Sequence, residues 1–490
     1  MSRVLVLDNG SYNIKVGYAT QDTPYVVPNC VVHSRHNKRS SLVGSQFTYA
    51  NASNNNINNS AIDYSGLVFQ RPHERGQLVD WRLEFGIWNS IFAGKADKGT
   101  GFVDPIDPTE TSLILTEAPV SLPQVSANTD QMVFEEYGFK DYYRCTSGSL
   151  VPWNDFDADL NGPLPQTTDL PTTSTTTIND NQNNQSDETI STNKIAPKKP
   201  ALSECALVID SGFHATNVLP TILGEVYWPA AQQISVGGRL LTNYLREIVS
   251  FQQFNMMEET FLINSIKERT CFVATDFEAE LAKCKRYKMA PSRAERDANP
   301  YLINYALPES PGDIGHIIKK AEDANTTSGS GAAQTLRLSN ERFSVPELLF
   351  SPHHVGLDQA GLAETVANCL NRVPVELQSL FAANIVLVGG SAKFPGLAAR
   401  LERELIPLLP DTYHLRVRTP AQNPELYAWQ GGRRLARQDG MLEKVHVTRE
   451  EYMEYGEKIC AMKFNMKRLD TEGGAGSGDG SNYDSSDMSE

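Results

Sequence analysis

Val6-Leu7-Asp8-Asn9-Gly10-Ser11 and Val208-Ile209-Asp210-Ser211-Gly212 are two copies of one device, their aspartates 202 residues apart. Each is an apolar run that ends in aspartate, then a small polar residue, then glycine, and each is followed by a second apolar run, at 14–18 and 217–219. The pattern predicts a strand, a tight turn and a returning strand. A turn of this kind offers backbone N–H groups to an anion, and its glycine lets the anion come close. Aspartate at the strand end can hold a hydrated divalent cation beside that anion. One copy alone is an ordinary hairpin signal. Two copies at domain-scale separation predict two lobes that grip a polyphosphate between them.

A third element completes the set. Ile385-Val386-Leu387-Val388 runs into Gly389-Gly390-Ser391 and then Phe394-Pro395-Gly396, ahead of a helical pattern. A buried strand that ends in Gly-Gly leaves room for a flat ligand at its carboxyl end, where Phe394 could stack on a base. Taken alone, the same residues also describe a strand-to-helix turn with Phe394 in the core. Across the chain, β-branched runs at 3–7, 206–209 and 384–388 alternate with apolar residues at helical spacing, such as Leu240-Leu241-Tyr244-Leu245-Ile248 and Leu397-Leu401-Leu405. That alternation predicts an α/β fold.

The composition sets limits. A chain of 490 residues is long enough for two core-bearing lobes, and its hydrophobic content of 40 % suits a globular protein. Its apolar runs are far too short for a bilayer span, so no membrane association is expected, and Met1-Ser2-Arg3 leads straight into a strand pattern, so no secretory leader is expected. Seven scattered cysteines without a CxxC pair argue against a disulfide framework and a zinc site. A net charge of −15 makes general attraction to nucleic acid a poor default. Residues 50–60, rich in asparagine, residues 154–200, rich in Thr, Ser, Asn and Pro, and the acidic Gly/Ser tail offer little to bury. They are expected to lack a packed core.

In this order, the three elements resemble the phosphate-1, phosphate-2 and adenosine motifs of the actin superfamily. The resemblance runs on through Leu115-Thr116-Glu117-Ala118-Pro119, Gln131-Met132-Val133-Phe134-Glu135, Ile266-Lys267-Glu268-Arg269, Asn340-Glu341-Arg342-Phe343 and Tyr427-Ala428-Trp429-Gln430-Gly431-Gly432. Pro28-Asn29-Cys30, the segment from Asp80-Trp81 to Trp88, Val236-Gly237-Gly238-Arg239-Leu240-Leu241 and Val447-Thr448-Arg449-Glu450-Glu451-Tyr452 resemble the actin-related protein 6 branch in particular. The fold so implied is the actin-like ATPase fold, two lobes with duplicated ribonuclease H-like cores around a nucleotide cleft. The expected division is a first lobe at 1–153, an insertion at 154–200, a second lobe at 201–413 with an inserted subdomain at about 238–350, a return to the first lobe at 414–466 and a tail at 467–490.

Carried over by position, the resemblance implies that ATP or ADP with Mg²⁺ is held by Asp8, Asn9, Gly10, Ser11 and Lys15 on one side and by Asp210, Ser211 and Gly212 on the other. Lys267 and Glu268 are expected at ribose and base, Gly389, Gly390 and Phe394 at the adenine, and Asp8 at the metal through water. Gln131 matches the glutamine that positions water in actins. Three positions depart from the pattern: Tyr12 replaces a glycine, Phe213 an aspartate near the cation, and Asn217 a histidine beside the attacking water. A phenyl ring cannot hold a hydrated cation, and a carboxamide cannot take up a proton. Slow or absent hydrolysis is therefore expected, with the nucleotide as a structural ligand.

The family branch implies a nuclear protein, partly cytoplasmic, in a Swr-type remodelling complex that exchanges a core histone for its Z variant. Its expected partners are the other subunits of that complex, including the ATPase, with histones or the nucleosome as further contacts. Residues 33–60, basic and then asparagine-rich, lack the apolar tip a filament contact needs, so no homo-filament is expected. A sugar kinase or chaperone ATPase, and a filament-forming actin homologue, are the rival classes. His353-His354 reads as loop because no third metal ligand is evident, and Gly329-Ser330-Gly331 as linker. Arg35-His36-Asn37-Lys38-Arg39 and Lys198-Lys199 read as ordinary surface clusters.

Overall fold

The computed structural model describes residues 3–35, 41–44, 46–47, 66–93, 105–161, 203–308, 313–318, 334–438 and 440–464. Two sheets carry the architecture, and they repeat one another strand for strand. In the first, the order is Val447–Thr448, Asp141–Thr146, Thr111–Glu117, Arg3–Asn9, Asn13–Tyr18, Tyr25–Pro28. In the second it is Leu160–Asn161, Val417–Pro420, Ile385–Val388, Cys205–Ser211, Thr216–Ile222, Glu225–Val226, with Gln232–Ile234 also laid on Thr216–Ile222. The pairings match as well: an antiparallel edge, two parallel ladders, then an antiparallel hairpin and its neighbour. The duplication read in two short motifs is a duplication of whole cores.

The central strands are apolar on both faces because both faces are covered. Side chains alternate along a strand, so Leu5 and Leu7 join the outer core of the first lobe while Val6 faces Trp429 and Leu150. In the second lobe Leu207 and Ile209 enter the large outer core, and Ala206 and Val208 pack with Val151, Phe156 and Tyr427. The chain crosses between lobes near residues 147–161 and returns through the helix Tyr427–Arg437. That helix lies against Leu150 so closely that a Cβ at Gly431 would fall 1.8 Å from the Leu150 carbonyl oxygen, and Trp429 donates to the Val6 carbonyl at 3.1 Å.

Two expected boundaries move. Residues 154–161 are not part of an insertion: Asn154 is buried, Phe156 and Leu160 enter the second core, and Leu160–Asn161 forms the edge strand of the second sheet. At the other end Val417–Pro420 still belongs to the second sheet, so the return to the first lobe begins after Pro420 rather than at 414. Within residues 238–350, where an inserted subdomain is expected, lie the helices Gly238–Gln252, Thr260–Thr270, Phe277–Lys288 and Arg293–Asp297 and the sheet of Ile303–Ala306, His316–Ile318 and Thr335–Leu338. Residues 162–200, all of 48–60, the cluster 36–39, Lys198-Lys199, Gly329-Ser330-Gly331 and the tail lie outside the described residues.

All seven cysteines are free and buried. Among the described residues no group of three metal-ligating side chains forms, and no helix is long and apolar enough to cross a membrane. His353 and His354 sit exposed in the short turn Pro352–Val355.

Candidate functional site

The two hairpins place their turns face to face across a cleft of about 660 Å³. Each aspartate stands at the same register position: Asp8 is paired with Lys15 across its hairpin, and Asp210 with Asn217. Of the residues expected to hold a ligand, Asp8, Asn9, Gly10, Ser11, Lys15, Asp210, Gly212, Lys267, Glu268, Gly389, Gly390 and Phe394 all line the cleft. Ser211 does not. Its hydroxyl lies within the sheet, 3.0 Å from that of Thr216. Gln131, at the end of the helix Pro123–Gln131, is also absent from the cleft wall; it is exposed and donates to Glu135 at 3.1 Å.

The first aspartate is tied down on both oxygens. Thr116, on the neighbouring parallel strand, donates to one at 2.6 Å, and the Lys15 ammonium to the other at 2.9 Å. Burial pulls the Lys15 ammonium down, but the Asp8 carboxylate, by charge and hydrogen bond, and Asp210 more than offset this and hold it above the usual lysine range. The second aspartate has Val388 at the matching place on its parallel neighbour, and takes its hydrogen bond from Ser147 of the crossover at 2.6 Å. Burial raises the Asp210 carboxyl, and the nearby Asp8 adds to this, against the pull of Ser147 and Lys15.

Gly389 shapes the end of the cleft at the strand Ile385–Val388. Its φ is +92°, and a Cβ there would lie 2.5 Å from the Ser211 carbonyl oxygen and 2.8 Å from the Asp210 carboxylate. Only glycine lets the strand end turn so close to the second hairpin. At Gly390 an added Cβ would meet nothing within 4 Å, and Phe394, nearly buried, closes the wall. Lys267 is a wall residue of another kind. Its ammonium donates to the Gly238 carbonyl at 3.1 Å, Thr242 at 2.8 Å and Asn264 at 2.9 Å, and burial lowers its pKa to about 8. Its neighbour Glu268 is the exposed member of the pair on the cleft wall.

The departures from the actin pattern meet one another. The rings of Tyr12 and Phe213 lie 4.8 Å apart, one from each turn, and the Arg71 guanidinium sits over both at 4.4 Å and 5.1 Å. Arg71 also donates to the carbonyls of Tyr12 at 3.0 Å and Asn29 at 3.2 Å, which fixes the first turn from behind. The Tyr12 hydroxyl accepts from Asn264 at 3.0 Å, and burial raises its pKa to about 12. Asn217 accepts from Gln233 at 2.9 Å. His73 and His214 line the same region, each with a ring nitrogen unpartnered, and burial lowers their pKa values to about 3 and about 4.

Sequence reasoning missed Thr116, Ser147, Arg71, Asn264 and a buried carboxyl, Glu84. Glu84 lies on the helix Trp81–Phe92, whose N-cap Asp80 accepts from Leu83 at 3.1 Å. Its oxygens have no well-aligned hydrogen bond, although Asn9, Asn29 and Trp88 face it; burial raises its pKa to about 7 against their pull. Glu84 thus stands directly behind the first turn, touching Asn9 of the turn and Asn29, which donates to the Gly10 carbonyl at 3.1 Å.

The actin family model matches residues 1–465. The chain is 36 % identical over 470 residues to a Yarrowia lipolytica protein named actin-like protein ARP6, covering 96 % of this chain and 99 % of that one. It is 33 % identical over 469 residues to actin-related protein 6 of Neurospora crassa, with 94 % of each chain covered. It is 31 % identical over 457 residues to actin-related protein 6 of Drosophila melanogaster, covering 92 % of this chain and 97 % of that one. With duplicated sheets, facing turns and likeness over nearly its whole length, the chain belongs to the actin family, in its actin-related protein 6 branch.

Proposed function

We propose that the chain is a non-filamentous structural subunit of a Swr-type chromatin-remodelling complex in the nucleus, which exchanges a core histone for its Z variant, and that ATP or ADP serves it as a structural ligand. Its partners on this reading are the other subunits of that complex, its ATPase included, with the nucleosome as a further contact. The branch assignment supports the chromatin role by family analogy. The single observation that carries the structural-ligand role is the Tyr12–Phe213 ring contact, which sets a phenyl where an actin-type second turn has a carboxylate beside the cation.

The cleft suits a nucleotide in size, since small-molecule sites run to several hundred Å³. Gly389 and Gly390 lie at the end of the cleft where a base would fit, and both turns, Gly10 to Asn13 and Gly212 to Ala215, line the space for phosphates. Bound nucleotide would supply polyphosphate charge and a hydrated Mg²⁺ there; Asp8 and Asp210 are the carboxylates that flank the place. Asn217 cannot serve as a base, and the loss of such a group costs about 10²–10⁴ in rate. A ligand held this way stabilises the fold by about 2.7 kcal/mol at a hundred times its dissociation constant.

A native pull-down of the tagged full chain from nuclear extract, read by mass spectrometry beside an ATP turnover assay on the purified chain, tests both halves. Recovery of a remodeller ATPase with companion subunits, and turnover near background, is expected. Recovery with cytoskeletal proteins would remove the chromatin role, and turnover like that of polymerised actin would remove the structural-ligand role.

A further inference from the structure

One face of the helix Thr260–Thr270 carries Phe261, Asn264 and Glu268, residues three and four apart that line up on a helix. The first two of them meet the first lobe at different depths. Outermost, the Phe261 ring stacks on Phe69 with centroids 5.8 Å apart and stands edge-on to Phe47 at 5.6 Å, closing an apolar cluster with Cys30, Val32 and Leu67. One turn deeper, Asn264 donates to the Tyr12 hydroxyl, whose ring rests on Phe213 beneath Arg71. At the head of the same helix Glu259 accepts from the Gly66 amide at 3.2 Å, and Glu258 is ion-paired with Arg35. Apart from Arg71 over Tyr12, these contacts join one lobe to the other.

The charges inside the cleft fit the same picture. Two facing carboxylates repel, and a ligand's cation would normally offset them. Here the Lys15 ammonium, bonded to Asp8 at 2.9 Å, is within electrostatic reach of Asp210 as well. We propose that the cleft is latched shut by the protein's own side chains, Phe261 with Phe47 and Phe69 at the rim and Tyr12 with Phe213 and Asn264 below, so that the closed arrangement of the lobes persists without nucleotide. The latch concerns the same cleft as the structural ligand but does not need that ligand to exist. Where a ligand is enclosed, it leaves only when the latch parts.

Because all native cysteines are buried, spin labels can be placed at Ser41→Cys and Phe251→Cys, two exposed positions, one on the strand Ser41–Val43 of the first lobe and one on the helix Gly238–Gln252 of the second. In the full chain stripped of nucleotide and Mg²⁺, a single narrow distance is expected, unchanged when ADP or ATP is added. Tyr12→Gly with Phe261→Ala should broaden the stripped distribution toward longer distances; if that pair does not fold, Phe261→Ala alone must broaden it in part. A stripped wild-type protein that is broad and narrows only with nucleotide overturns the latch, as does an unchanged distribution in the variants. Failure of ADP and ATP to bind at all would remove the structural ligand and leave this measurement readable.

Discussion

The first turn joins Asn9 to Ile14 and the second joins Ser211 to Thr216, with the same number of residues between paired ends. Around the shared aspartate and glycine their chemistry differs. Lys15 stands across from Asp8, and Asn217 across from Asp210; Thr116 flanks the first aspartate, and Val388 the second. The first turn thus holds an aspartate bonded on both oxygens, by Lys15 and Thr116, while the second holds a carboxyl pushed toward its neutral form by burial. The duplicated scaffold needs the register, which sets which side chains face the core, and does not need the chemistry at the turn. One half of the cleft pairs its aspartate with a lysine, and the other sets a carboxamide and a valine beside it.

Removing each aspartate should break that comparison most visibly. Asp8→Ala strands the Lys15 ammonium, whose side chain is 14 % exposed, and leaves Thr116 without its acceptor. Stranding one partner of a buried pair costs roughly 3–5 kcal/mol. Asp210→Ala leaves Ser147 unsatisfied but also removes a carboxyl that burial and the charge of Asp8 disfavour, so a loss of about 1 kcal/mol or less is expected. Urea unfolding of both variants at neutral pH measures the difference. Equal losses would mean that the two turns carry the same load.

The next effect sharpens the comparison by pH. Glu84 buttresses the first turn, and its folded-state pKa of about 7 lies above the ordinary 4.5. A carboxyl whose pKa is raised by folding binds its proton more tightly in the folded state, so its stabilising contribution is complete at low pH. It is lost as pH rises from the unfolded value through about 7. Burial sets the size, and the shift corresponds to roughly 3 kcal/mol at about 1.4 kcal/mol per unit. Glu84→Gln should therefore match wild type only below the unfolded value of 4.5 and become relatively more stable as pH rises through about 7. Thermal unfolding across that range reads the crossing, and parallel curves would show that Glu84 ionises freely.

Much of this architecture was legible in the chain. The strands at Arg3–Asn9, Cys205–Ser211 and Ile385–Val388 announced themselves because sheets covered on both faces demand continuous apolar runs. Gly389 was legible for a similar reason, since close approach of backbones leaves few residue choices. Thr116 was not, because its partner Asp8 lies 108 residues away and the two meet only through a parallel ladder. The boundary at 154 was misplaced because a polar run begins there, and the two apolar residues that carry it into the second core, Phe156 and Leu160, are too few to form a pattern. Residues 33–60 were read as lacking an apolar tip, yet Phe47 lies among them, buried against Phe261. An isolated aromatic gives no periodic signal. The meeting of Tyr12 and Phe213 was likewise unreadable, although each had been noted as a departure, because nothing local says that two turns 202 residues apart share a contact.

The smallest effect concerns the residue that the family pattern marks for water positioning. A glutamine that positions water would face the cleft beside the turns. The Gln131 side chain is instead exposed and bonded to Glu135, one helical turn on, while Thr129 lines the cleft from the same helix. An exposed pair of this kind contributes only tenths of a kcal/mol. Gln131→Ala should therefore change stability by less than about 0.5 kcal/mol, in line with surface substitutions generally. ADP affinity, read by titration calorimetry on the full chain, should stay within twofold. A loss of tenfold or more would place Gln131 in the ligand's reach, and would then argue that the first turn still serves chemistry as well as structure.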